Sequence, residues 1–204
     1  MKIRRQIMMA LCAMAVSLAD AQTHAVQPSL SIDVIKAFFA QMPDSVVPHM
    51  TKNNRLDMMD FMDAKMKAEV TNKLGGKSEM TDMSAPYMRI TISKSCDMQI
   101  RSLHSAAGDT LMAVAITIGA TDSELFVYDL QWKRIGDDMM PELLGPTMTQ
   151  QGYMGCISLN AHDTTAMVTL SNPFILPDEK GGAPSMPQPF MVRWDAQSLN
   201  FVKP

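Results

Sequence analysis

The sequence predicts an α+β fold, two N-terminal helices packed on a curved, mainly antiparallel sheet. Three observations predict it. Apolar residues between positions 31 and 70 recur at i, i+3, i+4 and i+7, the spacing of one helix face. From position 88 the period changes to two, the spacing of half-buried strands. Most connections between the period-two runs are a few residues long, which suits hairpins, because parallel neighbours need crossovers of about a dozen residues or more.

The first helix starts at Ser31, an N-cap residue, with Asp33 placed to suit the positive end of the helix. Ile35, Phe38, Phe39 and Met42 form its apolar face, and Pro43 stops it. Thr51 or Asn53 caps the second helix. Leu56, Met59, Met62, Met66 and Val70 form its apolar side, and Asp57, Asp60, Lys65 and Lys67 the other; Gly75-Gly76 ends the helical region.

In the strand region, Met88, Ile90 and Ile92 alternate with Arg89, Thr91 and Ser93. Lys94-Ser95 then turns the chain into Cys96, Met98 and Ile100, which alternate with Asp97, Gln99 and Arg101. Residues 111–118 are apolar almost throughout and read as a central strand, followed by a turn at 119–123 and a strand at 125–132. Further strands fit 153–159, 164–170, 189–194 and 199–202, with a long Pro/Gly loop over 173–189. Together, two helices and a run of hairpins make one domain over 31–204.

Ahead of that domain, residues 1–21 read as a signal peptide. Lys2, Arg4 and Arg5 precede an apolar run from Ile7 to Leu18, and Ala19-Asp20-Ala21 offers the small residues of a cleavage site. The run is shorter than the roughly 20 apolar residues a membrane span requires. Residues 22–30 are a flexible lead-in. No later run could span a bilayer, so the expectation is an exported protein, periplasmic or secreted, with no transmembrane segment.

The full chain of 204 residues carries a formal charge of -3; without the leader it has 15 basic and 20 acidic residues. An acidic chain with no basic stripe excludes nucleic acid as the expected partner, since phosphates demand a basic footprint. At 47% hydrophobic and 19% charged residues it is neither a disordered tail nor a fibre. Methionine is the compositional oddity, 22 residues against 15 leucines. Most occupy positions that call for any apolar side chain, and methionine fills irregular gaps well. The sharper alternative, a methionine-rich copper-binding protein, needs sulfurs converging on one point, whereas these spread along the whole chain.

Tests for chemistry leave little. Gly76-Lys77-Ser78 ends like a phosphate-binding loop, but Thr71 stands where that loop needs glycine. His162-Asp163 falls in a hairpin turn, where Asp is favoured for backbone reasons. There is no G-x-S-x-G, H-E-x-x-H or C-x-x-C, so no catalytic residue, metal ligand or cofactor is assigned. The binding candidates are Asn53, Arg55, Asp57 and Asp60 at the start of the second helix, and Asp122 with Ser123 at a turn into a strand. Each doubles as ordinary capping or turn chemistry. Export permits a disulfide between Cys96 and Cys156; the alternative is two small buried apolar residues.

Met42-Pro43-Asp44-Ser45, Pro48, then Thr51 through Asp57 and Phe61, with Asp122-Ser123, Tyr128-Asp129 and Trp132 downstream, resemble a family of secreted Bacteroidales proteins of unknown function. The resemblance implies export and one domain over the mature chain. It carries over no ligand, activity or functional residue. The resulting expectation is a non-catalytic binding or accessory module of the cell envelope, its partner an unidentified envelope component or exported protein. The alternative is an envelope hydrolase built from dispersed carboxylates.

Overall fold

The structure, a computed structural model, describes residues 31–174 and 186–204. The expected leader and lead-in and most of the 173–189 loop lie outside the described residues. Two helices come first, α1 (Ile32–Ala40) and α2 (Lys52–Asp63). Strands β1 (Ala68–Thr71), β2 (Lys77–Ser84), β3 (Tyr87–Ser93), β4 (Cys96–His104), β5 (Thr110–Ile118) and β6 (Asp122–Tyr128) follow. Short helices α3 (Met140–Leu144) and α4 (Pro146–Gln150) lead to β7 (Met154–Leu159), β8 (Thr165–Ser171), β9 (Phe190–Asp195) and β10 (Asn200–Val202).

The sheet-rich α+β class is as the sequence predicts, but the strands form two antiparallel sheets instead of one curved sheet. One has six strands in the order β1-β2-β3-β4-β5-β6, the other four in the order β10-β9-β8-β7. Strand alternation makes the larger sheet a middle layer. Met88, Ile90, Met98, Ile100, Met112, Val114 and Phe126 face α1 and α2, where Ile35, Phe38, Phe39, Met58 and Met59 meet them. On the opposite face, Leu103, Leu111, Ala113, Leu125 and Val127 pack against Ile157, Leu159, Val168, Val192 and Trp194 of the smaller sheet.

Local chemistry accounts for the elements. Ser31 accepts the Asp33 backbone N–H on its hydroxyl, and Thr51 and Asn54 exchange side-chain and backbone bonds at 3.0 Å each, a capping box. Lys36 Nζ reaches Asp63 Oδ1 at 2.6 Å and ties the two helices. The second helix stops at Asp63, earlier than its apolar spacing predicts. Lys65 turns to φ +56°, and Ala68–Thr71 runs on as β1. Val70 therefore belongs to a strand, where its branched side chain fits better. Gly75-Gly76 correspondingly sits in the β1–β2 hairpin loop, where the Asn72 carboxamide oxygen accepts N–H bonds from Leu74 and Gly76. Strand β6 ends at Tyr128 rather than continuing to residue 132; Asp129 accepts the Gln131 and Lys133 N–H groups at 2.9 Å and bends the chain.

Between the sheets, side chains of the larger one cap the free edge of β7. The Gln99 oxygen accepts from Leu159 N at 2.9 Å and from the Tyr87 hydroxyl at 3.0 Å, while its nitrogen donates to Ile157 O at 3.4 Å. Ser123 Oγ accepts from Ile157 N at 3.1 Å, and Arg101 donates to Asn160 O. An unpaired strand edge is a liability, and here it is covered by a neighbour's side chains.

Candidate functional site

The residues singled out from the sequence do not converge. Asn53, Asp57 and Asp60 are exposed on α2, but Arg55 turns inward and is 2% exposed. Its guanidinium donates to Met42 O at 2.7 Å, Met50 O at 3.3 Å and Asp44 Oδ1 at 3.2 Å. Arg55 thus staples the α1–α2 connection. Asp122 is exposed, whereas Ser123 is buried between the sheets, 2.7 Å from the Thr117 hydroxyl. The helix group and the Asp122-Ser123 pair therefore form no common site.

Cys96 and Cys156 are free thiols. Cys96 packs against the helix-side core, where burial pushes its thiol pKa up. Cys156 lies on β7 beside Ile157, whose side chain fills the opposite core, so its own points to the outer face of the smaller sheet. The larger sheet and the second core separate the two sulfurs, and strict disulfide geometry excludes a bond in this arrangement. At the other tested motif, Asp163 accepts the Thr165 N–H at 2.8 Å, and its hydrogen bonds to Thr165 hold its carboxyl below the ordinary carboxylate range. That is turn chemistry.

A cleft of about 390 Å³ lies where the α1–α2 connection meets the β6 edge. Pro43, Ser45 and Val46 form one wall; Ile116, Glu124, Phe126, Tyr128, Trp132 and Arg134 form the rest. Each wall is held firmly. Asp44 is bound by Arg55 and by Lys73 at 3.2 Å, and these partners, Lys73 first, hold its carboxyl below the usual range. Trp132 stacks on Phe38 with ring centroids 3.9 Å apart, and its indole N–H donates to Phe38 O at 2.7 Å. Its φ of +62° is unusual for a bulky residue; such a conformation costs about 1–3 kcal/mol and persists only where surroundings over-determine it.

Arg134 bridges back to Tyr128 through the backbone. Its guanidinium carbon lies 3.7 Å from the Phe126 ring centroid, and Nε donates to the Tyr128 hydroxyl at 3.4 Å. Among the described residues, Nη1 and Nη2 have no hydrogen-bond partner, and no carboxylate lies within 4 Å. Glu124, on the same face of β6, is likewise unpaired among the described residues. The cleft therefore joins an aromatic floor, an apolar wall and two opposite unpaired charges. Among the described residues lining it, Glu124 is the one carboxylate, and no His, Cys or Lys stands beside Ser45 in the lining.

A second cavity of about 370 Å³ is lined by Asp137, Asp138 and Glu142 with Ser198 and Asn200. Two of its carboxylates are committed: Asp138 accepts from Leu125 N and Met140 N, and Glu142 from Asn200. Among the described residues no group of three or more His, Cys, Asp or Glu side chains could hold a metal ion, and no helix is long and apolar enough to cross a membrane.

Sequence reasoning assigned no role to this cleft, although Met42 through Ser45, Tyr128 and Trp132, quoted for the family resemblance, lie in or beside it. The missing signal was Arg134, which no short motif marks.

Comparison with known proteins places this geometry in context. Residues 28–150 match a family described as "Protein of unknown function (DUF3256)", a span containing every residue lining the cleft and the whole six-stranded sheet. A solved domain of an uncharacterized protein from Porphyromonas gingivalis W83 is similar at 18% identity, with a TM-score of 0.63 over 84% of this chain and 98% of that one. That likeness concerns the fold, and it extends the comparison to the smaller sheet. No curated protein matches the chain.

Proposed function

The chain belongs to the DUF3256 family, whose function is unknown, and from that premise we propose that it is an exported, non-catalytic binding module of the cell envelope that seats its ligand in the aromatic cleft. Export rests on the leader-like residues 1–21. The binding role rests on one observation: Arg134, held over Phe126 with its terminal nitrogens unpaired among the described residues, lines a concave site of ligand size. Among the described residues a single carboxylate, Glu124, lines the cleft, whereas hydrolysis by paired acids needs two facing each other.

Two measurements test the reading. Heteronuclear NMR of the mature protein against a panel of acetylated amino acids, simple amines and monosaccharides is expected to give saturable shifts at the Trp132 indole. Ser45→Trp, which fills the cleft from an exposed position, is expected to abolish them. Shifts confined to another surface, or unchanged in a folded Ser45→Trp protein, overturn the cleft assignment. For export, the native protein is expected to start at Gln22; retention of Met1 through Ala21 overturns it.

A further inference from the structure

We propose that the cleft selects a ligand carrying one carboxylate on a short apolar body, received by Nη1 and Nη2 of Arg134. This rests on the cleft being a binding site and names the chemistry of what it takes.

Arg134 is exposed, and its guanidinium is oriented by its neighbours. Phe126 supports its face, Tyr128 takes its Nε proton, and the Tyr128–Arg134 bridge together with the Ile135 N to Val127 O bond at 2.8 Å holds the backbone. Two parallel N–H donors remain on the far edge of the plane, and that fork matches the two oxygens of a carboxylate. Because these contacts restrict the side chain, less freedom is lost when a ligand binds. Arg55 and Arg101, by contrast, are buried, and each donates to backbone carbonyls inside the protein.

The remaining walls select the rest of the ligand. Val46 and Ile116 are half-buried and apolar, so they favour an aliphatic or aromatic body over a sugar hydroxyl array. The volume, about 390 Å³, suits a group of one or two amino-acid residues in size. Glu124 stands two residues before Phe126 on the same strand face, roughly 7 Å along β6. Its charge opposes a second anionic group, so a monocarboxylate is preferred to a phosphate dianion. A peptide C-terminus with an apolar last side chain and a free small organic acid share this chemistry.

The test is calorimetric titration, with NMR to place the ligand, of N-acetyl-leucine, N-acetyl-leucinamide, phenylacetate and inorganic phosphate. The wild-type protein is expected to bind N-acetyl-leucine in the cleft at least about tenfold more tightly than the amide, the scale of hydrogen bonds to a charged group. Arg134→Lys keeps the charge but loses the fork, and is expected to remove that preference. Glu124→Gln is expected to keep or strengthen it. Phenylacetate binding equal to N-acetyl-leucine assigns the site to small acids; weaker binding assigns it to chain ends, and either supports the proposal. An amide bound as well as the acid, a preference for phosphate, or an unchanged preference in Arg134→Lys overturns it. If neutral or cationic members of the wider panel occupy the cleft while the acids do not, only the carboxylate assignment falls.

Discussion

On the helix side of the six-stranded sheet, Met42, Met50, Met58, Met59, Met80, Met88, Met98 and Met112 are buried, and among the described residues no leucine is fully buried there. On the opposite side, Leu103, Leu111, Leu125, Leu143 and Leu159 help fill the core, and Met139 and Met140 are its only buried methionines among the described residues. The second core is also crossed by Gln99, Ser123 and Arg101, whose side chains bond to the backbone from Ile157 to Asn160, whereas the buried polar groups on the helix side, Arg55, Asn72 and Ser78, bond within that layer, to its loops and to β3. The same sheet is thus secured in two ways. Flexible thioethers fill the irregular space between the sheet and the two helices. Hydrogen bonds to the β7 backbone fix the smaller sheet in one register. The cleft opens on the thioether side, at the edge where α1 and its following loop meet β6.

Adjacent residues on β4 point into the two cores and test this contrast. Gln99→Leu leaves Leu159 N, Ile157 O and the Tyr87 hydroxyl without their partner, and unsatisfied buried groups cost about 1–3 kcal/mol each. The expected loss, read from urea denaturation, is about 4 kcal/mol, the largest of the series. Met98→Ala removes a fully buried side chain and is expected to cost about 3 kcal/mol. Met98→Leu preserves volume and should cost roughly 1 kcal/mol or less. A Gln99→Leu protein as stable as Met98→Leu would break the distinction between the cores, because the polar crossing would then contribute nothing.

The smallest effect concerns the loop above the cleft. Lys73 and Arg55 depress the folded-state pKa of Asp44 below its unfolded value. Its contribution to stability is therefore complete above the ordinary carboxylate pKa near 4 and is lost as pH falls through the lower folded value. Asp44→Asn is expected to be less stable than wild type at pH 7, with the gap closing towards pH 3. A gap that stays constant across this range would remove Asp44 ionisation from the account. The carboxylate is exposed, so the effect is modest and salt-sensitive.

The two regions were not equally legible in the sequence. The first helix could be read directly, because Ser31, Asp33 and the Ile35-Phe38-Phe39-Met42 spacing all agree. The start of α2 was legible to within two residues, as Thr51 or Asn53, and Thr51 is the cap. Its end was not: Met66 and Val70 continue a helical spacing by coincidence, and β2, with Lys77, Ser78, Glu79 and Asp82, has little strand propensity. The hairpin from Met88 to Ile100 was legible from alternation. The division into two sheets was not, since β7 to β10 alternate just as a continuing sheet would. Their separation depends on Gln99 and Ser123 reaching across roughly 30–60 positions of chain. The cleft escaped notice for the same reason: Ser45, Ile116, Glu124 and Arg134 meet only in the fold. Arg55 misled because burial, invisible in spacing, decides whether an arginine binds a ligand or its own backbone.

The most direct test of recognition on the thioether side is a crystal structure of the mature protein soaked with N-acetyl-leucine. The carboxylate is expected within hydrogen-bond distance of Arg134 Nη1 and Nη2, with the leucine side chain against Val46 and Ile116. An empty cleft at saturating ligand, or a ligand seated elsewhere with Arg134 untouched, would contradict the account.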